Sequence, residues 1–115
     1  MLKATLLTLA AAALLVTPAW AKSTGLTGEV GPGFSIEVKK GTKDLKTIPA
    51  GSYKLKVEDK SGIHNFHLIG PGVNKSTSIA TRTETIWTVK LRPGKYTYLC
   101  DPHSSGMRGT FRVTA

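Results

Sequence analysis

The amino-acid sequence predicts an all-β protein, a sandwich or barrel of short strands, on three observations. Apolar residues recur with a period of two, clusters of Gly and Pro separate the runs, and no segment after Ala21 shows a helical period. Such alternation gives a strand one face for a core and one for water.

The elements follow in chain order. "MLKATLLTLAAAALLVTPAWA" begins with one basic residue, Lys3, runs apolar from Ala4 to Val16, breaks at Pro18 and ends on the small residues of Ala19–Ala21. That is the three-part layout of a secretory signal peptide, and the run is short for the roughly 20 residues of a membrane span. The expected organisation is residues 1–21 as a cleaved signal and residues 22–115 as one domain, periplasmic or otherwise exported. Phe34, Ile36 and Val38 then alternate with polar residues, as do Tyr53, Leu55 and Val57. Phe66 and Leu68 mark the core side of a further strand, and Val73–Arg82 reads as a crossing between sheets or a loop with a short edge strand. Trp87, Val89 and Leu91 form the next run, Tyr96, Tyr98 and Cys100 share a face, and Phe111 and Val113 close the chain. "GPG" at Gly31–Gly33 and at Gly70–Gly72, "PAG" at Pro49–Gly51, "DKSG" at Asp59–Gly62 and "RPGK" at Arg92–Lys95 supply the turns.

Charge and cysteine content narrow the function. Sixteen Lys and Arg against seven Asp and Glu give a formal net charge of +9, which favours acidic partners or anionic surfaces. No basic run is interleaved with stacking aromatics, so nucleic acid is not an expected partner. Cys100 is the single cysteine, and an exported domain cannot pair it within its own chain. It is then a buried inert thiol, half of an intermolecular disulfide, or a metal ligand or nucleophile.

Strand parity favours the metal. Cys100 points inward at the end of "GKYTYLC", Asp101 and Pro102 turn the chain, and His103 and Met107 return toward the thiol. In "SGIHNFHLIG", His64 shares the parity of Phe66 and Leu68, so it also points inward. If the two strands are antiparallel neighbours, His64 sits beside Cys100. Two imidazoles and a thiolate with a weak thioether make an electron-transfer copper site, whereas thioether is a poor zinc ligand. His67 has the opposite parity and reads as a surface or outer-layer residue. The dispersed carboxylates suggest no general acid–base pair, and no oxyanion-hole loop accompanies Cys100, so no enzyme activity is expected.

These pieces resemble a small bacterial cupredoxin of the plastocyanin and azurin family. The matching residues are His64–Asn65, Pro93–Tyr96, "CDPH" at Cys100–His103, Met107 and "GTFRV" at Gly109–Val113. The resemblance implies a Greek-key β-sandwich with one type-1 copper per chain, held by His64, Cys100, His103 and Met107, with Asn65 tying the two ligand loops together. It also implies a monomeric single-electron shuttle between transient redox partners, here with acidic docking surfaces. The ring edge of His103 is the expected electron port, rimmed by Pro32, Pro71, Pro102 and Gly106. The alternative is a periplasmic carrier or buffer that delivers copper and relays no electrons. Two departures stand out. Asp101 replaces the Ser or Thr frequent after the cysteine, which should alter the hydrogen bonds to Asn65 and lower the reduction potential. The short segment before Phe34 predicts a truncated or irregular first strand.

Overall fold

The computed structural model describes residues 25–115, so the predicted signal and its cleavage point lie outside the described residues. Ten strands follow one another: β1 Leu26–Val30, β2 Ile36–Lys40, β3 Lys43–Asp44, β4 Thr47–Pro49, β5 Gly51–Asp59, β6 His67–Gly70, β7 Val73–Ser76, β8 Thr83–Leu91, β9 Gly94–Leu99 and β10 Arg108–Thr114. They form two five-stranded sheets, ordered β3-β2-β1-β5-β8 and β4-β10-β9-β6-β7. The chain leaves the first sheet after β5, builds the β6–β7 hairpin in the second, and crosses back for β8. Both sheets are mixed, because β1 runs parallel to β5 and β4 runs parallel to β10. The predicted sandwich is therefore observed, with Val38, Leu55, Val57 and Val89 from one sheet facing Ile48, Leu68, Tyr96 and Phe111 from the other.

The N-terminal expectation is corrected. β1 is a full interior strand, paired along all five residues with both β2 and β5. Its inward positions are Leu26, Gly28 and Val30, and the glycine obscures the alternation. A Cβ on Gly28 would stand 2.6 Å from the Phe66 ring, so the missing side chain is the space into which Phe66 packs. Phe34 is corrected too: it lies between β1 and β2 and is 70% exposed. Val73–Arg82 supplies both expected features, the edge strand β7 and the crossing that follows it.

A second glycine fixes the end of the sandwich remote from Cys100. Tyr96 is fully buried, and its hydroxyl donates to the Pro71 carbonyl (2.8 Å) while accepting the Arg92 amide (2.9 Å). A Cβ on Gly70 would collide with this ring. Gly70→Ala is therefore expected to destabilise the metal-free protein by about 2–3 kcal/mol, the upper part of the overpacking range, because two hydrogen bonds prevent Tyr96 from moving aside. Urea unfolding followed by circular dichroism checks this.

Candidate metal centre

Two segments meet at the other end of the sandwich. β6 and β9 are antiparallel, with His67 opposite Leu99, so the approach to β6 lies beside the exit from β9. The β6 approach is stapled from below. The buried Asp59 carboxylate accepts from the Ser61 amide (3.2 Å) and the Thr77 hydroxyl (2.8 Å), and that hydroxyl accepts the Phe66 amide (2.8 Å). Phe66 is thereby held in the core, and His64, with the same parity, is buried as well.

The Cys100–Met107 segment closes on itself. His103 N–H donates to the Cys100 carbonyl (3.0 Å), forming one turn of 3-10 helix over Asp101–His103. Met107 N–H donates to the His103 carbonyl (2.8 Å), and Cys100 N–H donates to the Met107 carbonyl (3.0 Å). The four predicted ligands thus come together: His64, Cys100 and Met107 buried, His103 half-buried, with Met107 returned to the base of the loop.

The donor atoms converge. His64 Nδ1 and His103 Nδ1 stand 3.2 Å apart, and Cys100 Sγ lies 3.6 Å from each. The centre of a triangle with those sides is about 2 Å from every corner, the length of a metal–imidazole bond. His64 Nε2 is buried without a hydrogen-bond partner, so nothing in the protein but the group facing Nδ1 offsets the burial of this ring. A soft thiolate, two imidazoles and a nearby thioether are a donor set for copper. The residues present fit that ion.

Phe34 was missed by the sequence reading. Its ring meets the rings of His64 and His103 edge-on, with centroids 5.0 and 5.1 Å away, and so covers both from the solvent side. Ile63, which precedes His64, is 58% exposed, and Pro32, Pro102 and Gly106, expected around the copper end, are exposed as well. Pro71 does not belong there. Its carbonyl accepts the Tyr96 hydroxyl and its ring adjoins Gly94 at the start of β9, because β6 runs antiparallel to β9 away from the ligand loop before turning there.

Asp101 is answered by its neighbours. Asn65 Nδ2 donates to Asp101 Oδ2 (2.7 Å), and Asp101 N–H donates to Asn65 Oδ1 (2.8 Å), joining the two ligand segments. The other carboxylate oxygen takes His67 Nδ1 (2.9 Å), whose Nε2 faces Asn74 Oδ1 (2.6 Å). With oxygens at both nitrogens, His67 donates twice, as the imidazolium does. Burial alone would lower the His67 pKa, but the bonds to Asp101 and Asn74 and the Asp101 charge raise it. Burial would push the Asp101 carboxyl up, but the bonds from His67 and Asn65 and the His67 charge hold it below the usual range. His67 is therefore an outer-layer residue, as its parity predicts, and its acidic partner lies 34 residues away in sequence.

Comparison with known proteins agrees with this geometry. Residues 30–114 match the model of the family described as copper binding proteins, plastocyanin/azurin family. A search of curated proteins finds no significant match. Among solved structures, reduced rusticyanin is 24% identical, covers 78% of each chain and superposes with a TM-score of 0.59. Rusticyanin from Thiobacillus ferrooxidans is 23% identical over 78% of this chain and 76% of its own, with a TM-score of 0.57. Dithionite-reduced auracyanin from Roseiflexus castenholzii is 17% identical, covering 80% of this chain and 98% of its own, with a TM-score of 0.53. These structures share the fold.

Proposed function

The chain belongs to the plastocyanin/azurin family of copper-binding proteins, blue copper proteins of electron transfer, and on that premise we propose that it is an exported single-electron shuttle between transient protein partners. The observation that carries the site is the convergence of His64 Nδ1, His103 Nδ1 and Cys100 Sγ within 4.8 Å of one another. In this reading those three atoms and the Met107 thioether hold one copper ion. Bound copper supplies one electron at a time through its Cu(I) and Cu(II) states. The protein's part is to make both states acceptable. Sheet ends and a self-bonded loop fix the donors, so neither oxidation state is free to rearrange them. Burial keeps water from adding as a further ligand.

The half-buried His103 edge, with Phe34 packed against it and the exposed Ile63, Pro32 and Pro102 as its expected rim, is the electron port. A small apolar rim of this kind suits brief encounters, with the basic surface bringing acidic partners in at salt-dependent rates. The N-terminal signal layout supports export to the periplasm or beyond, and residues 22–115 are then the working domain.

The test is to load the protein with Cu(II) and record visible and EPR spectra, then cyclic voltammetry. An intense thiolate-to-copper band, narrow hyperfine splitting and a reversible one-electron wave are expected. A colourless protein with tetragonal Cu(II) signals refutes the site. Copper release to an acceptor at each reduction refutes the shuttle in favour of a carrier. Met107→Leu is expected to keep the colour and raise the reduction potential, since removing a fourth donor leaves a lower coordination number, which Cu(I) tolerates better than Cu(II). An unchanged spectrum and potential would show that Met107 only packs.

A further inference from the structure

The two outer faces of the sandwich carry charge very differently. Apart from the buried Asp59, the strands of the first sheet hold five acidic residues, Glu29, Glu37, Asp44, Glu58 and Glu84, against six lysines. Several are paired there: Lys56 lies 3.2 Å from both Glu58 and Glu84, and Lys60, just past β5, lies 2.9 Å from Glu29. The strands of the second sheet hold Lys75, Lys95, Arg108 and Arg112 and no acidic residue at all. Among the described residues, no carboxylate lies within salt-bridge distance of Lys95, Arg108 or Arg112.

Register places these cations. On β10 the buried Phe111 and Val113 face the core, so Arg108, Thr110 and Arg112 face out. Arg108 is opposite Leu99, which is opposite His67; Thr110 is opposite Thr97, which is opposite Ile69; Arg112 is opposite Lys95. The outer face is thus a small field of Thr, Leu and Ile with arginine or lysine at both ends. Leu99 and Arg108 directly adjoin Cys100 and Met107, so the field begins at the copper loop and runs about 13 Å down the sheet. The nearest carboxylate, Asp101, is held by His67 and Asn65.

We propose that the outer face of the β4-β10-β9-β6-β7 sheet is the surface on which an acidic protein partner docks, with Lys95, Arg108 and Arg112 as its cationic contacts. This inference rests on the electron-shuttle reading for the partner's purpose. A cationic face whose strands carry no acid, set against one where acids and lysines nearly balance, orients the protein as it approaches a negative surface, bringing the copper end alongside. A lipid surface is the weaker fit, because the face has no exposed aromatic or long apolar wedge to enter a bilayer and Ile69 is only 37% exposed.

The experiment uses a gold electrode bearing a carboxylate-terminated monolayer as the acidic probe, with adsorbed mass and voltammetric current read together. Lys95→Glu, Arg108→Glu and Arg112→Glu are combined in one variant. Lys40→Glu, Lys54→Glu and Lys90→Glu on the other sheet make a control with the same change in net charge. The first variant is expected to lose about tenfold in adsorbed mass at low salt and the control about twofold or less. Equal losses overturn the proposal, since net charge alone would then decide. Equal binding of wild type and the first variant to phosphatidylglycerol vesicles and to the monolayer also overturns it. Circular dichroism checks folding, and if the first variant is unfolded the same positions are changed to Gln, with loss of adsorption again expected. Mass adsorbed without a redox wave contradicts the shuttle reading and leaves the docking face standing.

Discussion

Cys100→Ser is expected to abolish the intense visible band and to weaken copper binding by about a thousandfold or more, close to 4 kcal/mol. The colour of such a site comes from charge transfer out of a thiolate, and no other described residue offers one: Cys100 is the single cysteine of the chain. A serine hydroxyl is a hard donor that stays protonated, so it replaces neither the charge nor the softness that favours Cu(I). The side chain is fully buried, and water has no ready route to fill the gap. What remains is two imidazole nitrogens 3.2 Å apart and the thioether segment, which would hold Cu(II) only in an ordinary tetragonal environment. The apoprotein should stay folded with a cost of about 1–3 kcal/mol for a buried, poorly partnered hydroxyl, which circular dichroism measures. An intense band surviving in Cys100→Ser would remove the thiolate from the site.

The site was legible in the sequence because parity is a strong local rule. His64, Phe66 and Leu68 on one side, and Tyr96, Tyr98 and Cys100 on the other, needed only the assumption that their strands are antiparallel neighbours, and they are. What parity does not carry is not legible in this way. The short segment before Phe34 predicts a truncated first strand, whereas β1 is complete; Gly28 stands where an apolar residue would mark its alternation, and the reason is a ring 38 residues later. Phe34 continues the alternation of Ile36 and Val38, yet it precedes the strand, where the "GPG" turn directs it to solvent over the two histidines. Pro71, expected on the copper rim, stands instead beside Tyr96 and Gly94, where the β6–β7 turn carries it. The parallel pairings of β1 with β5 and of β4 with β10 have no local signature, since parallel partners are joined by long crossovers.

Asn65→Ala is expected to destabilise the copper-loaded protein by about 2–3 kcal/mol and to broaden its EPR hyperfine splitting. Asn65 is 2% exposed and makes both bonds that tie the His64 segment to the Cys100 segment. Removing it strands the Asp101 amide without a partner and breaks a charge-assisted bond. That second loss counts for less than its nominal value, because the Asp101 side chain is 45% exposed and water can replace Asn65 there. With the tie gone, the two segments can separate slightly, and Cu(II) relaxes toward the tetragonal geometry it prefers. Asp101→Ser separates the tie from the charge. A serine keeps the backbone amide for Asn65 and offers an oxygen near the lost carboxylate, so stability should fall by only about 1 kcal/mol. The reduction potential should rise, because a nearby negative charge favours Cu(II) over Cu(I), and its partial neutralisation by His67 limits the size of the change. Spectra and voltammetry of the two variants distinguish these effects. If Asn65→Ala leaves both stability and hyperfine splitting intact, the loops are held by the 3-10 turn alone. If Asp101→Ser lowers the potential, the carboxylate acts on the site through geometry and not through its charge.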